Sequence, residues 1–245
     1  ANYVSNKKNP MVYIVSHSWP NRWEIPGIKS GIDVYSNCDE VELFNDVNQS
    51  SLGRIKNPGL GKHFQWNNIA VNYNVLYAVG YVNGQAVAKD YIVLHSLPKA
   101  PNYDLLDKDS DEVIQPKKGY NYLYRVNCGG PELKDHLGNK WLADTHKSSE
   151  NDWGSLSWTD GFKNLPDYYA SQRTSYDPIK KTKEDLLFQT VRYGTSQLKY
   201  EFPVPNGKYL VELYFTEPWY GTGGGLDCKG WRTFDIAIND KTVLK

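Results

Sequence analysis

An all-β fold made of two β-sandwich domains is predicted by three observations. Apolar residues recur at alternate positions through much of the chain, Asn-Gly pairs at 83–84 and 206–207 punctuate those runs, and helix formers are few, with a single Met in 245 residues. That length suits one large all-β domain or two of ordinary size, and a break in composition near residue 98 divides it into two.

The first ten residues, ANYVSNKKNP, read as a polar tail without the apolar core of a secretory signal, so the chain is expected to begin downstream of any export signal. From Met11 to Leu97, the runs MVYIV, GIDVYS, EVELF, HFQW and NVLYAVGYVNGQAVAKDYIVLH predict about seven strands. In EVELF, Val41 and Leu43 point inward while Glu40 and Glu42 meet water, the pattern of an antiparallel sheet with one solvated face. Val75, Tyr77, Val79 and Tyr81 share one face of a strand that turns back at Asn83 and Gly84, the two positive-φ positions of a tight hairpin.

Residues 98–119, rich in Pro, Asp and Lys, read as a semi-rigid linker in which DKDSDE stays hydrated; Leu105 and Leu106 are its candidates for docking. The second domain, 120–245, opens with NYLYRVNCGG and passes through a loop-rich stretch to Asp167. Thr182 followed three residues later by Asp185 predicts a short helix start before LLFQTVRYG. YEFPVP, Asn206-Gly207 and KYLVELYF predict a hairpin with Tyr209, Val211, Leu213 and Phe215 on one face, and TFDIAI places Phe234, Ile236 and Ile238 inward.

Charge and reactive side chains exclude several functions. The 28 basic residues equal the 28 acidic ones, so no basic stripe is available for phosphates or anionic lipid, and neither nucleic acid nor membrane is an expected partner. No apolar run approaches the ~20 residues that span a bilayer. Cys38, Cys128 and Cys228 are odd in number and far apart, which argues against a disulfide framework and a zinc cluster. Cys38 and Cys128 read as small core residues, and whether Cys228 pairs stays open. His17, His63, His95, His136 and His146 lack paired ligand spacing, so no metal or other cofactor is expected. GTGGG at 221–225 lacks the Lys-Ser/Thr of a phosphate loop, and Asn48-Gln49-Ser50 fits a glycosylation sequon.

Between Leu187 and Asn239 the loops between strand-like runs carry Tyr193, Trp219, Tyr220 and Trp231. Large rings on loops above a sheet offer flat apolar faces suited to sugars, or else they cap the ends of the core. HSWPNRWEIPG followed by VYSNCDEVELF resembles the β-sandwich that follows the catalytic barrel in bacterial glycoside hydrolase family 2 enzymes, the β-galactosidase and β-glucuronidase family. RVNCGG, LFQTVRYG, GKYLVELYFTEPWYG and RTFDIAIND are similar to malectin-like carbohydrate-binding domains. The two resemblances imply an immunoglobulin-like sandwich followed by a malectin-like or galactose-binding-like jelly roll, and a bacterial protein that is periplasmic or secreted.

The malectin resemblance implies that Tyr193 in VRYG stacks on a sugar, beside the aromatic pair Trp219 and Tyr220 in EPWYG. Trp153 in NDWG matches a further aromatic position, with Trp158 as its rival. In the resembled family the domain continues with more strands after TVLK, which would leave sheet edges open here, so either a completing segment from another chain or a loosely ordered C-terminal half is expected. The glycosidase acid pair belongs to a barrel, whose helix and strand alternation is absent here. Asp33, Glu40, Glu42, Asp144, Asp152, Asp160, Glu217 and Asp235 therefore read mostly as solvated turn and surface acids. The expected function is a non-catalytic glycan-binding and spacer region attached to an upstream catalytic domain of the same parent chain, against the alternative of a structural module that binds no sugar.

Overall fold

The computed structural model describes residues 9–106, 112–157, 164, 172–194, 198–220 and 227–245. Strand dominates, and the one α-helix among the described residues has five residues. Two units divide the chain: residues up to Ser16 with Trp23–Ala100 and Trp219–Lys245, and His17–Arg22 with Pro101–Pro218.

In the first unit the strands are β1 (Val12–Ile14), β2 (Gly27–Lys29), β3 (Ile32–Ser36), β4 (Glu40–Phe44), β5 (Ser51–Lys56), β6 (Phe64–Trp66), β7 (Ile69–Val71), β8 (Val75–Val82) and β9 (Gln85–Val93). They pair antiparallel into sheets ordered β1-β3-β6, β2-β7 and β5-β4-β8-β9. Val12, Ile14, Val34 and Phe64 from the first sheet share one buried cluster with Val41, Leu43, Leu76 and Ala78 from the four-stranded sheet. That facing of two inner surfaces is a β-sandwich.

Val41 and Leu43 are buried and Glu40 and Glu42 half-exposed, as the alternation predicts. Asn83 (φ 51°) and Gly84 (φ 75°) close the β8–β9 hairpin in the left-handed region that type I′ turns need. The face bearing Tyr77, Val79 and Tyr81 is the outer one; Tyr81 donates to Glu42 Oε2 at 2.8 Å and lies under the Arg54 guanidinium. Buried Asn45 staples the loop before β8, donating to the carbonyls of Tyr73 (2.9 Å) and Val75 (2.7 Å) and accepting from the Asn72 and Tyr73 amides. Four hydrogen bonds satisfy an amide that would be costly to bury unpaired.

In the second unit the elements are β10 (Val126–Asn127), β11 (Leu133–Lys134), β12 (Lys140–Ala143), β13 (Gly154–Ser157), β14 (Gln172–Thr174), α1 (Asp185–Gln189), β15 (Thr190–Arg192) and β16 (Leu198–Glu201). They form the sheets β10-β12-β11, β13-β16 and β14-β15. Ile114, Trp141, Leu187 and Phe188 make its buried apolar cluster, with Tyr214 packed edge-on to Trp141 and Phe188. Of the stretch read as a linker, Tyr103–Leu105 forms a 3-10 turn, Leu105 is exposed, and Ala100 and Ile114 are buried.

A short helix does form at the Thr182 signal, but α1 begins at Asp185, two residues later than a Thr182 cap implies, and the Thr182 hydroxyl accepts the Glu184 amide at 3.0 Å instead of capping the helix. The hairpin expected over 200–215 is replaced by β16, which pairs with β13, and by a stretch from Phe202 to Glu217 that bends at Asn206 and Gly207 and makes no ladder pairing among the described residues. Its alternation survives with inverted phase. Glu212 and Tyr214 face inward, through the Tyr122 hydroxyl (2.6 Å), Lys117 (3.1 Å) and the Trp141 ring, whereas Tyr209, Val211, Leu213 and Phe215 are exposed. A one-residue phase change moves every side chain of an extended segment to the other face.

Two further strands of the first unit, β17 (Ile236–Ile238) and β18 (Lys241–Leu244), form a hairpin on which Phe234 and Ile238, expected inward, are exposed. All three cysteines are free; Cys38 is buried, but Cys128 is exposed, against its reading as a core residue.

Candidate functional site

Trp219 and Tyr220 follow Pro218, whose ring fixes its own φ and biases Glu217 toward extended backbone. Trp219 is 71% exposed, Tyr220 37% and Trp231 57%. Trp231 is presented by a turn in which its amide donates to the Cys228 carbonyl at 3.1 Å and Gly230 takes φ 78°. The Tyr220 and Trp231 rings meet edge to face, with centroids 5.5 Å apart, and the Arg232 guanidinium lies 5.0 Å from the Tyr220 centroid. Such a grouping offers flat apolar faces beside forked N–H donors, the combination that stacks on a sugar ring and hydrogen-bonds its hydroxyls. Trp231 is one of the loop aromatics visible in the sequence but not one of the expected sugar contacts, and Arg232 was not singled out; the Trp-Arg pair after a Gly-rich loop was the available signal. The GTGGG loop and Trp158 lie outside the described residues.

The other two predicted residues belong to the second unit. Tyr193 follows β15 directly, is half-buried, and has the Arg173 guanidinium 5.6 Å from its ring centroid. Trp153 precedes β13 and stacks on Phe202 with centroids 5.9 Å apart and an 8° interplanar angle, while Tyr124 tilts against both. The loop before Trp153 is tied by the Ser148 and Ser149 hydroxyls, which donate to Asp152 at 2.6 and 2.8 Å and hold its carboxyl below the usual range. Within this unit Trp153 is a packed ring and Tyr193 a loop ring at the end of a strand.

The same unit holds a buried polar knot. Asp144, with a fully buried side chain, accepts from Arg192 Nε (2.5 Å), the Gly129 amide (2.7 Å) and the Tyr200 hydroxyl (3.1 Å). Asn127 donates to the Pro131 carbonyl (2.9 Å) and accepts from the Thr190 hydroxyl (2.9 Å). The knot ties the NCGG turn to β15, the strand that Tyr193 directly follows. A Cβ at Gly129 or Gly130 would collide with Val191 backbone or with the Asn127 and Thr190 side chains, so the two glycines are required by close approach. Burial, then the neighbouring Cys128 and Asp144, pushes the Tyr200 phenol far above its ordinary pKa, so it stays a donor at any physiological pH. The reading of Asp144 as a solvated acid is therefore corrected. A carboxylate can lie fully buried when a guanidinium, an amide and a hydroxyl replace its water.

Other acids are engaged in ion pairs, Glu40 with Arg54 at 2.5 Å and Glu201 with Lys147 and Lys199. Among the described residues no group of three or more His, Cys, Asp or Glu side chains is placed to hold a metal ion.

Comparison with known proteins yields two family matches: the malectin domain over residues 122–245 and a domain of unknown function, DUF4982, over residues 27–88. A probable LRR receptor-like serine/threonine-protein kinase of Arabidopsis thaliana is 29% identical over 144 residues, 54% of this chain and 14% of the relative. A putative beta-glucuronidase of Formosa agariphila is 38% identical over 94 residues, 36% of this chain and 11% of that protein. The chain thus spans only a small fraction, 14% and 11%, of the lengths of these relatives. The apo structure of Bacteroides uniformis beta-glucuronidase 3 is 37% identical, covering 40% of this chain and 13% of that one, with a TM-score of 0.30. With just over half of its residues matched by the malectin model, the chain belongs to the malectin-domain family.

Proposed function

We propose that this chain is a non-catalytic, carbohydrate-binding region of a longer glycoside hydrolase of the β-galactosidase and β-glucuronidase type, with the first sandwich acting as a spacer. Malectin-family membership, and partial similarity to proteins named as beta-glucuronidases, support the carbohydrate and hydrolase parts of that reading. The observation that carries it is the 71% exposure of Trp219, an apolar surface that folding leaves in water. Tyr220 beside it, and Tyr193 and Trp153 in the second unit, are the other proposed glycan contacts. Ring stacking with polar contacts at the rim gives affinities of ~1 mM to 1 μM, roughly 4–8 kcal/mol, which tethering to a catalytic domain makes effective. No helix among the described residues is long and apolar enough to cross a membrane, and a periplasmic or secreted location belongs to the same proposal.

A fully buried Trp removes about 200 Å² from water, so a sugar covering one face of Trp219 hides on the order of 70 Å², worth about 2 kcal/mol at ~25 cal/mol per Å². A glycan array on the intact chain, with Trp219→Ala beside it, is expected to show signals that fall about tenfold or more in the variant. Equal signals from both proteins would remove Trp219 from the site. Silence of the unaltered chain across the array would favour the structural-module reading, for which the packing of Trp153 against Phe202 and Tyr124 speaks locally.

A further inference from the structure

His136 stands between two carboxylates from distant parts of the chain. Its Nδ1 makes a short contact with Glu184 Oε1, its backbone amide donates to that same oxygen at 2.9 Å, and its Nε2 lies 3.1 Å from Glu112 Oε2. A neutral imidazole has one N–H and one lone pair, so it can donate to only one of two acceptors; the imidazolium donates to both. Two ionised carboxylates at the two ring nitrogens therefore fit the cation.

The elements joined give the contact a purpose. Glu184 has a side chain only 8% exposed and is the residue on which α1 starts, its carbonyl accepting the Leu187 and Phe188 amides. Glu112 is two residues before Ile114, which is buried in one cluster with Trp141, Leu187 and Phe188. Through one ring, the strap that inserts Ile114 is fastened to the helix whose Leu187 and Phe188 it packs on. We infer that His136 is a pH-operated clasp that holds the Glu112–Ile114 strap on α1 when protonated and releases it when neutral.

The described charged groups around the clasp are few. Lys183 Nζ lies 3.9 Å from the same Glu112 oxygen and remains a second, weaker hold. Asp135 is committed to the Trp141 indole and to Asn139 and Leu137, and Asp185 accepts the Ile179 amide, so neither is needed by the ring. The hydrogen bond with Glu184 raises the imidazole above its ordinary pKa, burial opposes it as the next largest effect, and Glu112 adds to the rise. The folded value being raised, the clasp's contribution is fully present below the unfolded His value, about 6.5, and is lost as pH rises through the folded value.

The test uses the intact 245-residue chain. Of the five His ring signals in a carbon-detected NMR titration, the one that disappears in His136→Asn is assigned to His136. That signal is expected to titrate above about 6.5, and to shift down in Glu112→Gln, a change at a surface residue. Amide hydrogen exchange over residues 112–118 is expected to accelerate several-fold, beyond the intrinsic pH trend, on crossing that midpoint in the unaltered chain. It is expected to lose that step in Glu112→Gln. A His136 midpoint at or below the ordinary value, or exchange at 112–118 without a step at its midpoint, would overturn the inference.

Discussion

Replacing Asp144 by Asn tests whether the buried knot that includes Arg192, the residue before Tyr193, sets the stability of the second unit. The substitution keeps the shape but removes the charge, leaving the Arg192 guanidinium, whose side chain is 1% exposed, without its counter-ion. Removing one partner of a buried pair costs about 3–5 kcal/mol because the remaining charge stays desolvated. The amide also cannot accept from Arg192 Nε, the Gly129 amide and the Tyr200 hydroxyl all at once, as the carboxylate does. At roughly 2–4 °C per kcal/mol for a chain of this size, the transition reporting the second unit falls by about 6–20 °C. Differential scanning calorimetry with near-UV circular dichroism reads that shift. The double variant Asp144→Asn with Arg192→Met is expected to lose less than the single one, since the stranded charge is gone. A single variant melting within about 1 °C of the unaltered chain, or a double variant losing the sum of its parts, would refute the account of the knot as a stabilising pair.

Two other predictions test packing and charge. Gly80→Ala sets a Cβ 2.6 Å from Cys38 Sγ and from Val12 Cγ2 inside the first sandwich, and a loss of about 1–3 kcal/mol in urea unfolding is expected; unchanged stability would mean that the two sheets are not packed as described. Glu201, held by Lys147 and then Lys199, has its carboxyl drawn from 4.5 down to about 2. A lowered carboxylate contributes above its unfolded pKa and loses that contribution as pH falls through the folded value, so its carboxyl carbon shift should move near pH 2 and not near 4.5. Lys147→Met should bring it back toward the ordinary value, and a midpoint already near 4.5 in the unaltered chain would dismiss the Lys147–Glu201–Lys199 bridge.

What was legible in the sequence follows from how local each determinant is. Val41 and Leu43 against Glu40 and Glu42, and the Asn83-Gly84 turn, are decided within a few residues by pleat and φ, and the structure places them as read. The stretch from Phe202 to Glu217 was misread because both of its faces carry rings. Choosing between Tyr209, Val211, Leu213 and Phe215 on one side and Tyr214 on the other depends on Trp141 and Phe188, far away in sequence. Asp144 was dismissed for the same reason: nothing near it announces Arg192, 48 residues on, or Tyr200, 56 residues on. Trp219, Tyr220 and Trp231 were visible as loop aromatics, whereas the grouping of Trp231 and Arg232 with Tyr220 emerges only from the 5.5 and 5.0 Å contacts they make with its ring.

In the second unit, the division between a desolvated polar interior and a ring at the surface bears on how a shallow sugar site could work at all. A saccharide offers little apolar area, so its binding cannot also meet the cost of ordering a loop, which runs to about 1–2 kcal/mol per backbone residue. The contacts of Asn127, Gly129, Asp144 and Thr190 hold the turn before Pro131 and the strand before Tyr193 in place in the free chain. Tyr193 therefore leaves a fixed strand end, with Arg173 beside its ring, and little further ordering is left for a ligand to drive. If this is the role of the knot, a substitution within it should weaken glycan binding at temperatures where the variant is still folded, with the loss growing as Tyr193 becomes mobile. A knot that served stability alone would leave the affinity of the folded fraction unchanged, so calorimetric titration of Asp144→Asn well below its melting temperature separates the two roles.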